Sequence, residues 1–325
     1  MPTRLRLPQI MARLDDRFRL LTGGSRRTLP RQKTLQATID WSYDLLDERE
    51  QAVLRRLSGF AGGWSLEAAE AVCADESVAQ VDIFDALASL VDKSLARSDP
   101  QEAAVRYLML ETVCQYAADR LKESGETEAV QSRAAAWFLA LAEQAEPQLS
   151  GPEQAAWLGR LETEHNNLRA SLTWYERRED TEAGLRLSGA LWRFWVVRGH
   201  LSEGRQWLGR AMERTEGRQG ATGWEASAVW AKSFHGAGTL AYRQGDYAPA
   251  RALCEKSLVI HRRMGNQQGI AVSLHNLGNV AERQDDCVVA RSLHKERLTI
   301  RRRLGDQEGI AASLEGMAGA AQGQN

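Results

Sequence analysis

The chain has 325 residues, and its 42 lysine and arginine residues nearly balance 43 aspartate and glutamate residues, for a formal net charge of −1. This composition is typical of a globular protein with two or three cooperative units. We find neither an apolar run of about 18 residues nor a signal-peptide pattern, so we expect no membrane span and no secretion. The four cysteines share no CxxC spacing, which predicts reduced thiols and a cytoplasmic location.

Charge is unevenly distributed along the first part of the chain. Residues 1–33 carry nine basic against two acidic residues, a balance of +7, whereas residues 34–125 carry eight against seventeen, a balance of −9. The last basic positions before the acidic stretch are Arg26, Arg27, Arg31 and Lys33. We interpret them as a basic loop that is either simply solvated or a docking surface for another domain or for the acidic neighbour, with nucleic acid as a third alternative.

Residues 34–125 predict short helices followed by two strands. The predicted helices cover residues 34–46, 48–60 with a cap at Asp47, 66–73 with a cap at Ser65, and 82–92. SLARSD and VRYLML then predict strands around a turn at Asp99–Pro100, and residues 111–125 return to helix. Three helices followed by a two-stranded wing indicate a winged helix-turn-helix domain.

Residues 82–92 hold the recognition-helix position by chain order. Their charged residues are Asp82, Asp85 and Asp92, and they contain no Arg, Lys, Asn or Gln that could meet base edges. Carboxylates would repel the phosphates whose neutralisation supplies much of DNA-binding affinity. We therefore do not expect this domain to contact DNA.

Residues 126–220 predict degenerate helical hairpins. Aromatic residues recur there at helical spacing, namely Trp192, Phe194, Trp195 and Trp207. Such spacing favours a packed hairpin core over an aromatic binding box.

Residues 221–325 contain a repeat with a period of 40 residues. The segments beginning at Ala231, Ala271 and Ala311 align, as do those beginning at Ala250 and Ala290. A constant period of this length is typical of a solenoid. Each unit predicts two helices, because left-handed glycines (Gly265, Gly305) and capping residues (Asn266, Asp306) recur at the same places.

The repeat resembles the longer form of the tetratricopeptide repeat, on the evidence of Leu277–Gly278, Gly245–Asp246–Tyr247, and Ala250 with Ala290. Two departures are Arg297, where that family usually has a small residue, and Asp285–Asp286 in place of Gly–Asp. The resemblance implies a concave groove lined by equivalent positions of the first helices. These positions hold His235, Thr239, Tyr242, His275, Asn279, Glu282 and Glu315.

This polar ladder predicts a site for a protein, a peptide or a small inducer, and the alternative is plain solvation. We do not expect a metal site there. Equivalent positions on stacked helices lie about 10 Å apart, whereas zinc ligands lie about 2 Å from a single ion.

Residues 13–24, 34–73, 90–96 and 106–117 resemble the winged-helix module of bacterial STAND-type ATPase regulators of the LuxR-like and AfsR-like kinds. Residues 161–175 resemble the first solenoid pair of that family. An NTPase domain precedes the module in those regulators, and tetratricopeptide repeats follow it. The resemblance implies that residues 1–33 are a lid remnant and that the chain is the C-terminal portion of such a regulator, without its NTPase domain and with a truncated last repeat.

No GxxxxGK[ST] motif occurs in the sequence, so it offers no loop to cradle a triphosphate. We therefore predict that the chain is not an enzyme and binds no cofactor, ATP or ADP being expected only in the missing domain. No Ser-His-Asp, HExxH or paired-carboxylate constellation indicates another reaction.

Met109–Leu110–Glu111 resembles the Met-His-Asp motif by which related switch ATPases sense ADP. A histidine there can hydrogen-bond a phosphate oxygen, and Leu110 has no such donor. The segment is therefore either a nucleotide-sensor remnant or only a strand-to-helix junction.

The predicted architecture is mainly α: a winged helix-turn-helix domain over 34–125, degenerate hairpins over 126–220, and a right-handed α-solenoid of tetratricopeptide repeats over 221–325. We expect the regulatory, partner-binding portion of a transcriptional regulator. The alternatives are a free-standing tetratricopeptide adaptor and a DNA-binding winged-helix protein. The sequence does not indicate the oligomeric state.

Overall fold

The computed structural model describes residues 30–100, 105–219 and 227–322, with side chains over 36–100, 105–214 and 227–318. Within these ranges the chain forms fifteen helices and two strands. In chain order they are α1 (Pro30–Asp44), α2 (Glu48–Leu57), α3 (Leu66–Cys73), α4 (Asp82–Asp92), β1 (Arg97–Pro100), β2 (Val105–Leu108), α5 (Glu111–Glu123), α6 (Thr127–Gln148), α7 (Gln154–Thr163), α8 (His165–Arg178), α9 (Thr181–Arg198), α10 (Leu201–Gln219), α11 (Ala228–Arg243), α12 (Tyr247–Arg263), α13 (Gln267–Arg283), α14 (Cys287–Leu304) and α15 (Gln307–Gln322). The predicted mainly α fold is confirmed.

The chain divides into two compact units. The first comprises the described residues up to Phe138 together with Glu164–Ser171. The second comprises Leu139–Thr163 and the described residues from Leu172 onward. Among all these described residues, no helix combines the length and the apolar character needed to cross a bilayer.

The helices of the first unit begin where capping side chains predict. The Glu50 amide donates to the Asp47 carboxylate at 2.8 Å, and the Asp47 amide donates to the Glu50 carboxylate at 2.9 Å, which together form a capping box at the start of α2. Ser65 accepts from the Ala68 amide at 3.2 Å and so caps α3. Local sequence was sufficient to predict both starts.

The structure corrects the start of the first helix. α1 begins at Pro30 rather than at Thr34. Proline is favoured at the first helical position because no hydrogen bond from its nitrogen is needed there. Arg31 and Lys33 consequently lie in a helix and not in the predicted basic loop.

The predicted wing forms, but the predicted turn is wrong. β1 and β2 are antiparallel, with Asp99 opposite Arg106 and Pro100 opposite Val105. Asp99 and Pro100 are therefore strand residues, and the connection falls in 101–104, outside the described residues. Proline is tolerated because β1 is an outer strand, where a missing amide donor leaves no ladder partner unsatisfied.

Trp64, which no strand pattern indicated, pairs with the other edge of β2. Its amide donates to the Tyr107 carbonyl at 3.0 Å and its carbonyl accepts from the Tyr107 amide at 2.8 Å. The neighbouring Arg106 donates to Glu164 at 2.7 Å, and Asn167 donates to the Gly63 carbonyl at 2.9 Å. These bonds make the start of α8 part of the first unit.

Arg56 is the more deeply buried of two buried arginines in the described part of the first unit, the other being Arg106, and its side chain is 1% exposed. Its Nη2 donates to Asp75 at 2.6 Å, to Glu126 at 2.7 Å and to Ser77 at 3.0 Å, and its Nη1 donates to the Cys73 carbonyl at 2.7 Å. Burial alone would raise the pKa of Asp75 and Glu126, but the hydrogen bonds that they accept lower both values to about 2. Because Glu126 belongs to this network, the unit extends past residue 125, where the sequence placed a boundary.

The second unit is a stack of helices in which, from α9 onward, each helix packs against the next one along the chain. The glycines that follow α12 and α14, Gly265 and Gly305, have φ angles of 66° and 70°. The Gly269 amide then donates to Asn266 at 3.0 Å, and the Gly309 amide donates to Asp306 at 2.8 Å. The predicted helix ends and caps of the repeats are confirmed.

Asp285 takes a left-handed conformation, with φ of 59°, at the turn between α13 and α14. Gly245 has φ of 80° at the equivalent turn of the preceding repeat. An aspartate tolerates this conformation better than most residues because its short side chain can hydrogen-bond locally. The turn at Asp285–Asp286 therefore has the same left-handed conformation as the Gly245–Asp246 turn, although its sequence differs.

Candidate functional site

The predicted polar ladder lies on consecutive first helices of the repeats. On α11 it consists of His235, Thr239 and Tyr242, and on α13 of His275, Asn279 and Glu282. Each set has the i, i+4, i+7 spacing of one helix face, and all six residues are half-buried. Glu315 on α15 is exposed.

His235 is held by neighbours on both sides. Its ring lies edge-on to the Trp192 ring, with 4.9 Å between centroids. Its Nδ1 lies 3.2 Å from Asn276 Nδ2, which also donates to Thr239 Oγ1 at 3.3 Å. Asn276, which sequence reasoning missed, thus joins α13 to α11. Its place in the sequence, next to His275 and three residues before Asn279, could have indicated that it lies near the ladder.

His275 is less well satisfied. Its Nε2 lies 3.2 Å from Asn279 Nδ2, but its Nδ1 is buried without a hydrogen-bond partner among the described residues. Burial, followed by the positive charges of nearby arginines, lowers the pKa of His275 to about 4. Burial likewise lowers the pKa of His235 to about 4. Both imidazoles are therefore neutral near pH 7.

The remaining ladder residues make contacts within the repeats. Glu282 Oε1 lies 3.0 Å from Nε2 of the buried His294 on α14. The Tyr242 hydroxyl accepts a long hydrogen bond from Arg283 at 3.4 Å, and its ring lies 5.9 Å from the Tyr247 ring. The ladder residues of α11 and α13 therefore lie on one polar face, and Asn276 joins the two helices at His235 and Thr239. The role of this face in binding stays a prediction.

A second polar cluster lies on α14, where sequence reasoning had noted only that Arg297 departs from the repeat. Arg297 and Arg301 are 5% and 6% exposed, and His294 is fully buried. Arg301 Nη1 donates to Gln268 at 3.0 Å and to Asp306 at 2.5 Å. This cluster could have been predicted from the repeat alignment. His294, Arg297 and Arg301 stand one period after Cys254, Ser257 and His261.

The predicted nucleotide-sensor segment lies at the junction of β2 and α5. Leu110 precedes the first residue of α5 with φ of −62° and ψ of 142°, and its side chain makes no cap. Its carbonyl accepts from the Cys114 amide at 2.8 Å. Leu110 is 55% exposed and Met109 is half-buried. The segment is a strand-to-helix junction with an exposed leucine, and a sensor role for Met109, Leu110 and Glu111 stays a prediction.

The recognition-helix position, α4, exposes acidic and apolar groups. Asp85 and Asp92 are exposed, and Asp82 pairs with Arg49 at 3.2 Å. Phe84 is 52% exposed, and Val81, just before the helix, is 81% exposed. The helix itself carries none of the cationic and amide side chains with which phosphates and base edges are bound.

Of the predicted basic docking residues, Arg26 and Arg27 lie outside the described residues. Arg31 and Lys33 lie in α1, in the part of that helix whose side chains are not described. Their proposed docking role stays a prediction.

Two parts of the chain match known protein families. Residues 46–122 match the family model "Winged helix-turn-helix domain", and residues 231–303 match "Tetratricopeptide repeat". Both families describe non-enzymatic domains. The chain therefore carries a winged helix-turn-helix domain followed by tetratricopeptide repeats.

The chain has a low structural similarity to two solved structures. One is the crystal structure of BtubC from P. vanneervenii, with 14% identity, a TM-score of 0.39, and coverage of 59% of this chain and 84% of that one. The other is a STAND protein with a tetratricopeptide repeat sensor from Pyrococcus horikoshii, with 15% identity, a TM-score of 0.38, and coverage of 86% and 48%.

The sequence relatives are mycobacterial. The chain is 41% identical over 200 residues, 62% of its length, to a "Putative HTH-type transcriptional regulator" of Mycobacterium tuberculosis and to its counterpart in Mycobacterium bovis. It is also 41% identical over 126 residues to an "Uncharacterized protein" of Mycobacterium tuberculosis, covering 38% of this chain and 32% of the relative. The chain is thus similar to helix-turn-helix regulators and spans 22% of the length of the first two.

Proposed function

We propose that this chain is the regulatory and protein-interaction portion of a signal-transducing transcriptional regulator. In this proposal the winged-helix unit relays the nucleotide state of an NTPase domain outside this sequence, and the repeats bind a protein partner or an inducer. The chain itself catalyses no reaction and uses no cofactor.

The main support for the proposal is the polar face formed by the first helices of two repeats, α11 and α13, which Asn276 joins. Asn276 ties α13 to His235 and Thr239 on α11, so that polar groups hold one arrangement on a surface that is half exposed. Because these groups are ordered before any partner arrives, binding costs little additional side-chain entropy. Repeats of this kind pack only against their neighbours, so a partner that spans several of them biases the stack as a whole.

The surface of α4 supports protein contact over DNA contact for the winged-helix unit. The Arg49–Asp82 ion pair brings the start of α4 to the start of α2, next to Leu45, which is 59% exposed. Exposed leucine, valine and phenylalanine side chains beside carboxylates suit a protein partner, whereas phosphates would be repelled.

The partner-binding proposal is tested by affinity capture with the chain and with the double variant Asn279→Ala/Glu315→Ala. We expect the variant to lose the proteins or small molecules that the wild type retains while it stays folded, with a melting temperature lowered only by the loss of the Asn279–His275 contact. Glu255→Ala is the matched control, because Glu255 is an exposed acid on a second helix. Equal capture by all three proteins would contradict a role for the polar ladder.

The absence of DNA contact is tested by titrating labelled duplex DNA with the purified chain at low and moderate salt. We expect no retention even at low salt, where neutralised phosphates contribute most to affinity. Saturable, salt-sensitive binding that Asp85→Ala strengthens would favour the DNA-binding alternative.

A further inference from the structure

The two complete repeats differ on the buried face of their second helices. α12 carries Cys254, Ser257 and His261, and α14 carries His294, Arg297 and Arg301 at the equivalent positions. In the first repeat Ser257 Oγ donates to the Ala231 carbonyl at 3.0 Å and lies 3.3 Å from Ser273 Oγ. A small hydroxyl thus completes the junction between α11 and α13. In the second repeat Arg297 replaces this serine, at the equivalent junction between α13 and α15.

Arg297 is buried without being satisfied. Its side chain is 5% exposed, yet its Nε and Nη1 have no hydrogen-bond partner among the described residues. Burial, together with the charge of Arg301, lowers the pKa of the Arg297 guanidinium from its ordinary value. The charge of Asp306 opposes this lowering. Two buried donor nitrogens without acceptors are unfavourable, and an acceptor from outside the chain would satisfy them.

The neighbouring acids are already engaged. Asp306 accepts from Arg301 Nη1 at 2.5 Å and from the Gly309 amide at 2.8 Å. Glu282 Oε1 lies 3.0 Å from Nε2 of His294. Nε of Arg301 and Nδ1 of His294 are also buried without partners in the described part of the chain. The cluster is therefore rich in nitrogen groups and poor in free acceptors.

Glycines on α15 allow two side chains of this cluster to pack directly against the helix. A Cβ atom on Gly309 would lie 2.5 Å from Arg301 Cδ, and one on Gly316 would lie 2.8 Å from His294 Nε2. Real Cβ atoms do not approach other atoms so closely, so larger residues at either position would displace the cationic side chains. The positions of Arg301 and His294 thus depend on small residues of the facing helix.

We propose that Arg297, with Arg301 and His294, forms a binding site for an oxyanion, a carboxylate or phosphate group, at the junction of α13, α14 and α15. The oxygens of such a group supply the acceptors that Arg297 lacks, and guanidinium groups form strong charge-assisted hydrogen bonds with them. The inference rests on the proposed function in one respect: the oxyanion belongs to the partner or inducer that the repeats bind.

The test is titration of the purified full chain in a zwitterionic buffer at constant ionic strength, with chloride exchanged for acetate or for inorganic phosphate. Binding is followed by calorimetry and by the NMR signal of the Arg297 Nε–H group. We expect saturable binding of at least one oxyanion and a shift of that signal. Arg297→Met should weaken binding about tenfold or more, as expected when a charged hydrogen-bond donor is lost.

Two further variants keep the result interpretable. Arg297→Ser introduces the residue of the preceding repeat, so it tests the site even if methionine does not pack, and it should also lose binding. Arg302→Met removes an exposed charge from the same helix and should bind as the wild type does. A circular dichroism spectrum checks that each variant is folded.

A second arm identifies the source of the oxyanion. It uses a short peptide with a free C-terminal carboxylate and the same peptide with a C-terminal amide. Selective binding of the acid form supports the site with a peptide as its source, and binding of acetate or phosphate alone supports it with a free small anion. An equal response of wild type and Arg297→Met, or an effect matched by chloride, would overturn the proposal. Because this readout needs no partner protein, the oxyanion site can fail while partner capture by the ladder succeeds, and the reverse.

Discussion

Arg56 in the winged-helix unit and Arg297 in the repeats are both buried on helices, but their surroundings differ. Arg56 donates to two carboxylates, a hydroxyl and a carbonyl, and of its nitrogens only Nε is buried without a partner. Arg297 has two such nitrogens, Nε and Nη1. Removing a buried cation that has partners leaves those partners uncompensated, whereas a buried cation with unpaired nitrogens indicates a site that something else completes.

The same contrast extends to the titrating groups of the two units. In the winged-helix unit Asp75 and Glu126 are paired, and their pKa values lie at about 2. In the repeats His235 and His275 are held neutral by burial, with pKa values of about 4. The stability of the first unit therefore depends on Asp75 and Glu126 being ionised, and that of the repeats on His235 and His275 being neutral.

The largest effect is expected from removing the paired cation. Arg56→Met leaves Asp75 without its cation, whereas Glu126 keeps its pairing with Arg55 at 2.5 Å. We expect a loss of about 3 kcal/mol in the free energy of unfolding of the first unit. Urea unfolding with hydrogen exchange on peptides of that unit measures it. The control is Arg49→Ala, which breaks an exposed pair with Asp82 and should cost less than about 1 kcal/mol. Similar losses in both variants would mean that burial does not distinguish the two pairs.

Mild acid should destabilise the repeats before it destabilises the winged-helix unit. The folded-state pKa of about 4 at His235 and His275 lies below the unfolded value of about 6.5, so the unfolded repeats bind more protons between those values. Their stability is complete above about pH 6.5 and falls as the pH drops towards 4, by about 2 kcal/mol for each histidine at pH 5. The carboxylates of the first unit lose their contribution only below about pH 4. Hydrogen exchange at pH 7 and pH 5 reports both units, and His275→Asn should reduce the loss in the repeats. A loss of equal size in both units at pH 5 would contradict this assignment.

Local signals predicted much of the fold. The caps at Asp47, Ser65 and Asn266 were predictable because a capping side chain bonds to an amide only a few residues away. The repeat period likewise predicted the order of the helices from residue 231. The Asp99–Pro100 turn was predicted wrongly, since a proline on an outer strand has the same local sequence as a proline in a turn.

Long-range contacts were not predictable from one sequence. The Trp64–Tyr107 pairing and the Arg106–Glu164 ion pair join residues far apart in the chain, and no local pattern indicates them. The polar ladder was predicted from the period, but its link through Asn276 depends on how closely two helices pack. Arg297 was noted as a departure, and only the structure shows that it is buried with unpaired nitrogens.

Removing the unpaired cation should have the opposite sign to removing Arg56. In a buffer without oxyanions, Arg297→Met replaces an unsatisfied buried charge by an apolar side chain of similar length. We expect the repeats to gain about 1–2 kcal/mol in the free energy of unfolding. Urea unfolding of wild type and variant measures the change, and adding acetate or phosphate should reduce the difference by stabilising the wild type alone. A destabilised variant would mean that Arg297 is satisfied within the chain.

The smallest effect on stability is expected at the Asp285 turn of the same repeat, which contains no buried charge. This turn therefore provides a reference for the effects of the buried charges. Asp285 is exposed and holds a φ of 59°, where glycine has no Cβ penalty. Asp285→Gly should therefore stabilise the repeats by about 0.5–1 kcal/mol, independently of pH between 7 and 5 and of added oxyanion. Gly245→Asp, the reverse change in the preceding repeat, should destabilise them by a similar amount. If Asp285→Gly altered the acid response or the oxyanion response, those responses would reflect general stability of the repeats and not the groups at His275 and Arg297.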